Sequence, residues 1–186
     1  MNRLLLAAAV AATTLVSVPA FAQTQDHVQS QWWQPSDVYA SLGYTGINQG
    51  SGVDAHIGAI TGRADARFGR YFGLEVEASG GVAPSTSAQG NRTWLDHQYA
   101  GYAVGYLPVM RNLDLFARAG YGDSLISYRG PTTSFEVNSE SFNFGAGAQY
   151  FVTPHDGVRF EYTRQDAQDH FGPNADTLSL SYVRKF

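Results

Sequence analysis

The stretch Thr177–Phe186 reads TLSLSYVRKF. Leu178, Leu180 and Tyr182 alternate with Ser179, Ser181 and Val183, so neighbouring side chains point to opposite faces of an extended strand. Chain ends are usually polar and frayed. This one runs as an amphipathic strand up to an aromatic last residue, Phe186, and that predicts a terminus held inside a sheet.

The same two-residue period recurs upstream. In VRFEYTR, Val158, Phe160 and Tyr162 share one face, and Arg159, Glu161 and Thr163 the other. Phe142, Phe144, Ala146, Ala148 and Tyr150 stand opposite Asn143, Gly145, Gly147 and Gln149. Eight such segments are expected, at about 38–45, 57–68, 72–81, 94–106, 113–122, 141–151, 158–164 and 177–186. No helical period is visible after residue 36. Short connections (GRY, LPVMRN and VTPHDG) alternate with longer ones near 46–56, 82–93, 123–140 and 165–176. Hairpins with short turns at one end and long loops at the other predict an all-β fold, an eight-stranded antiparallel up-and-down barrel. Strands of about ten residues are long enough to cross a bilayer when tilted.

The beginning of the chain carries an export signal. Asn2-Arg3 is a positive start, 4–16 is mostly apolar, and Ala20-Phe21-Ala22 has the small-x-small form of a cleavage site. Residues 1–22 are expected to be a signal peptide, 23–36 a flexible lead-in holding Trp32 and Trp33, and 37–186 the barrel domain. The chain has no cysteine, so neither a disulfide framework nor a thiolate metal site is possible. A net charge of −4 offers no basic footprint for nucleic acid. Only 15% of residues are charged, 13% are aromatic and 20 are glycine, a balance that suits strands.

Alternation does not say which face points inward. A soluble ligand-binding barrel buries its apolar face, and a membrane barrel does the reverse. Three features favour polar-in. Long charged side chains fall opposite glycines, as an eight-stranded interior requires: Gly147 opposite Glu161, and in the preceding hairpin Gly101 opposite Arg118 and Gly105 opposite Asp114. The inward charges balance, with Arg63, Arg67, Arg118, Arg159 and Lys185 against Asp65, Glu75, Glu77, Asp114 and Glu161. Enclosed charges need partners because desolvation is costly. Aromatics gather at the short-turn end, where Trp32, Trp33, Phe68, Phe72, Tyr106 and Tyr150 are expected to form an interfacial girdle.

With these features the sequence resembles the small OmpA/OmpX-type outer-membrane β-barrels of Gram-negative bacteria, over about residues 37–186. The resemblance implies a place in the cell outer membrane, contact with its lipid, and short turns on the periplasmic side. It also implies that Leu178, Leu180, Tyr182 and Phe186 form a C-terminal signal for the barrel-assembly machinery. Arg184 departs from that signal, where many members carry an apolar or aromatic residue. Lipid-modifying barrels of this size use a His and a Ser with an acidic partner. Here His97 has Asp96 beside it but no His-x-Ser strand motif. The acidic loop around Asp166, Asp169, His170 and Asp176 lacks an ordered calcium-loop pattern. No catalytic residue, metal or cofactor is expected. The expected role is non-catalytic, in envelope structure or in surface interaction and adhesion through the loops. A lipid-modifying enzyme, a narrow diffusion pore and a soluble lipocalin-like binder are the alternatives.

Overall fold

The computed structural model describes residues 34–49, 55–86, 92–130, 134–168 and 174–186. The expected signal peptide at 1–22, most of the lead-in, and Trp32 and Trp33 lie outside the described residues. The strands are β1 Asp37–Gln49, β2 Ala55–Phe68, β3 Phe72–Ala83, β4 Ser85–Thr86, β5 Arg92–Met110, β6 Leu113–Arg129, β7 Ser134–Phe151, β8 Asp156–Ala167 and β9 Ala175–Lys185. Eight are long; β4 is a two-residue addition to the edge of β5.

Every pairing is antiparallel, and β9 pairs with β1, which closes the sheet. Closure leaves no long barrel edge unpaired. The Phe186 amide donates to the Val38 carbonyl at 2.9 Å, so the terminal residue is tied into the first strand. Partners can be followed once around the barrel, from Tyr39 through Asp65, Glu75, Tyr102, Gly120, Asn143, Gln165 and Ala175 to Gln49. The path returns to β1 ten residues further on. That stagger sets a tilted, narrow barrel whose interior side chains must fill. The β2–β3 turn passes through Gly69 at φ 66°, a conformation other residues adopt at a cost.

Two expectations are corrected. The loop expected at 123–140 is mostly strand, because β6 and β7 stay paired out to Arg129↔Ser134. The loop expected at 82–93 is likewise shortened by β5, which starts at Arg92. Beyond the bilayer no face of a strand must meet hydrocarbon, so DSLISYR and SFEVNSES need not alternate apolar with polar residues. The second correction is register. Arg118 pairs with Val104 and Asp114 with Pro108, not with Gly101 and Gly105. The inward face of β5 is therefore Tyr102, Val104 and Tyr106, and Gly101 and Gly105 lie on the outward face.

The polar face points inward. Leu42, Leu74, Val76, Leu107, Phe160 and Leu180 are exposed, whereas Arg63, Glu75, Arg118, Arg159 and Glu161 are buried. The apolar-in arrangement of a soluble ligand-binding barrel is therefore not the one observed. Ser179 and Ser181 from the terminal stretch join the interior, and Leu178, Leu180 and Tyr182 stand outside. The interior also holds two apolar clusters. One, at the loop end, joins Ile47, Ile57, Ala59, Leu95, Ile126 and Ala175. The other, Tyr102, Val104, Tyr106 and Phe116, lines one wall beside the charges.

Candidate functional site

The centre of the lumen holds three guanidiniums and four carboxylates. Arg63 bonds Glu77 at 2.7 Å and Glu161 at 3.2 Å. Arg118 bonds Glu77 at 2.9 Å, and also Glu75 and Glu161. Arg159 bonds Asp65 at 3.1 Å and Glu75 and Glu161 at 2.6 Å each. The alternating faces of β2, β3, β6 and β8 bring these groups together. Asp65↔Glu75 and Arg63↔Glu77 are direct cross-strand partners, while β6 and β8 supply their charges from across the barrel.

Aromatic rings complete the arginine sites. Arg118 lies 3.9 Å from the centre of the Tyr102 ring, and Arg159 lies 4.1 Å from that of Phe116. A weakly hydrated planar guanidinium suits an aromatic face. Room for the rings comes from glycine across the strand: Tyr102 pairs with Gly120 and Phe116 with Gly147. A Cβ on Gly147 would come within 2.5 Å of the Phe116 ring. Phe116, 4% exposed on the inward face of β6, is a contact that the sequence pattern did not single out. The spacing that reveals it is the large inward residue opposite a glycine.

The remaining charges stand apart from this centre. Arg67 bonds Asp114 at 2.9 Å and lies 4.5 Å from the Tyr106 ring centre, nearer the short-turn mouth. Lys185 bonds Asp37 at 2.7 Å at that mouth, so it belongs to the rim and not to the central cluster. Tyr106 was expected in the girdle, but it is 4% exposed and its hydroxyl reaches Asp65 at 3.4 Å. The register of β5 turns it inward. Phe72 and Tyr150 face outward and exposed, and half-buried Phe68 packs on Phe72 with ring centres 6.5 Å apart. Further outward aromatics, Tyr44, Tyr99, Tyr121, Phe142 and Tyr162, stand towards the loop end, so rings flank both ends of the apolar band. Arg184 bonds Asp156 at 2.8 Å at the exposed margin. Asp96 sits at a bulge in β5 and accepts from Trp94 Nε1 at 2.9 Å and from Ser127, not from His97. His97 instead packs against Tyr99, with ring centres 5.4 Å apart.

The central cluster has one more carboxylate than guanidinium. Asp65 shows where the excess sits, because its Oδ2 is buried without a hydrogen-bond partner. An unpaired buried carboxylate oxygen is costly. Asp65→Asn keeps the shape and removes the excess carboxylate. It is expected to raise stability by about 1 kcal/mol, read as a higher urea midpoint in detergent. A lower midpoint would show that Asp65 is needed as an anion by Arg159.

An outward apolar band, flanking aromatics and a closed, charge-filled lumen are the physical marks of an outer-membrane barrel. The sequence pattern of the outer membrane protein beta-barrel domain family matches residues 8–186. The chain belongs to this family. It is an outer-membrane protein of small OmpA/OmpX-like architecture. Solved structures share the fold. Ail of Yersinia pestis, in complex with the heparin analogue sucrose octasulfate, is 16% identical, with 81% of this chain and 98% of that one covered at a TM-score of 0.60. Neisserial surface protein A is 13% identical, with 80% and 97% covered at 0.65. The N-terminal barrel domain of Pseudomonas aeruginosa OprF is 12% identical, with 82% and 98% covered at 0.61. At these identities the likeness is one of fold. No curated protein matches the sequence.

Proposed function

We propose that the protein is a non-catalytic surface-contact protein of the outer membrane, whose barrel anchors an adhesive sheet. The observation that supports this reading is the length of three strands. β5, β6 and β7 have 19, 17 and 18 residues, where about 9–11 suffice to cross the bilayer. Pairing of β5 with β3 ends at Ser79↔Gln98, and pairing of β7 with β8 ends at Ser141↔Ala167. Beyond those points the three strands continue together as a sheet on the loop side. Among the described residues no strand pairs with the outer edge of β7 from Ser134 to Ser139. An open edge with polar side chains can pair with an extended segment of a partner.

The charges of this end argue against carrying over the polysulfated ligand seen with Ail. Asp96, Asp123, Glu136, Glu140, Asp166 and Asp176 outnumber Arg92, Arg129 and Arg164. A protein partner reached through the sheet fits better than a polyanion. In this reading the central charges have a structural role, and Leu178, Leu180, Tyr182 and Phe186 serve as the assembly signal. The test is surface display in a non-adherent bacterium. The full chain should raise binding to immobilised matrix proteins. Replacing 124–138 by a short turn should remove that gain and leave the barrel resistant to cold SDS. Equal binding by full chain, shortened chain and empty vector would sink the proposal.

A further inference from the structure

The short-turn mouth of the barrel is a cavity of about 960 Å³. It contains the pairs Arg67–Asp114 and Lys185–Asp37. Two further arginines line it, Arg70 on the β2–β3 turn and Arg111 on the β5–β6 turn. Both carboxylates of the cavity are already bonded, so Arg70 and Arg111 leave two uncompensated positive charges there. Among the described residues neither of them has a carboxylate partner. Arg70 is also held in place. Arg67 donates to its carbonyl from Nε at 3.2 Å and again from Nη2, and its guanidinium lies 5.6 Å from the Tyr71 ring centre.

We propose that this mouth binds a phosphate group between Arg70 and Arg111. Each guanidinium offers a planar fork of donors that matches two phosphate oxygens, and a tetrahedral phosphate has oxygens for two forks. The charge of a phosphate offsets the surplus of the cavity. The opposite end of the barrel is acidic, so an anion is favoured at this mouth over that end. Beside the arginines, Val109, Met110 and Val152 present exposed apolar surface. The phosphate is accordingly one that carries an apolar portion, as a membrane-lipid headgroup does, or a free phosphorylated solute using the same two forks.

The experiment uses the mature chain refolded in a maltoside detergent. Inorganic phosphate is titrated calorimetrically at constant ionic strength with chloride as the balancing anion. A parallel arm embeds the protein in phospholipid nanodiscs and follows the ³¹P signals of the lipid. The expected result is one saturable site, weakened at least tenfold in R70Q/R111Q and unchanged in R92Q/R129Q, whose charges lie at the other end. A perturbed lipid ³¹P signal that the double variant loses identifies the lipid as the source. Titratable binding of inorganic phosphate inside nanodiscs identifies a solute. Should the double variant fail to resist cold SDS, R111Q alone serves, with at least a threefold loss expected. The proposal is overturned by no saturable binding in either arm, or by binding that the variants leave unchanged.

Discussion

Replacing Arg159 by alanine is expected to destabilise the barrel by about 3–5 kcal/mol, the usual cost of breaking a buried ion pair. Arg159 is 1% exposed and bonds Asp65, Glu75 and Glu161 at once. Without it, four carboxylates would face only Arg63 and Arg118. The cost arises from stranded charge, and this separates it from a packing defect. Arg159→Met restores most of the volume over Phe116 but none of the charge, so it should be nearly as damaging. Adding Glu75→Gln to Arg159→Met should recover part of the loss, because the two positions share one network. Urea unfolding in detergent reads these differences, and the fraction resisting cold SDS gives an independent check. A wild-type midpoint for Arg159→Ala would show that water reaches the network and screens it.

The eight crossings were legible because each must alternate: one side of the strand meets lipid and the other a polar lumen. VRFEYTR shows this without ambiguity, and β8 contains it as read. Legibility fails where that constraint is lifted. On the loop side of the bilayer neither face of β6 or β7 meets hydrocarbon, and buried Ile126 and Ser127 are neighbours on opposite faces, so the extensions carry no regular period and read as loop. It fails again on β5, where Gly and Tyr occur on both faces. A one-residue change of register exchanges the faces, and pattern alone could not choose between Tyr102 or Gly101 as the inward residue. Tyr106 went to the girdle for the same reason. The identities of the lumen charges could be read, but their grouping could not. Whether Lys185 joins Glu161 or Asp37 depends on the stagger around the closed barrel, which no single hairpin reveals.

Leu180→Arg tests the outward face with a comparably large expected effect. Leu180 is 61% exposed and lies between Tyr44 on β1 and Phe160 on β8. In a water-soluble barrel an arginine at such a position would change stability by roughly 0.5 kcal/mol or less. In a bilayer the same arginine lies within the hydrocarbon, and a loss of about 2–4 kcal/mol is expected near the midplane. Asn138→Arg is the matched control, because Asn138 is exposed on the protruding part of β7 beyond the last β7–β8 pair. The same substitution there should be close to neutral. Leu180 also belongs to the expected assembly signal, so a defect in cells would mix recognition with lipid cost. Refolding into lipid vesicles without any assembly factor isolates the lipid term. A large loss for Leu180→Arg with none for Asn138→Arg ties the apolar face to hydrocarbon. Equal, small effects at both positions would mean that the exposed leucines face water.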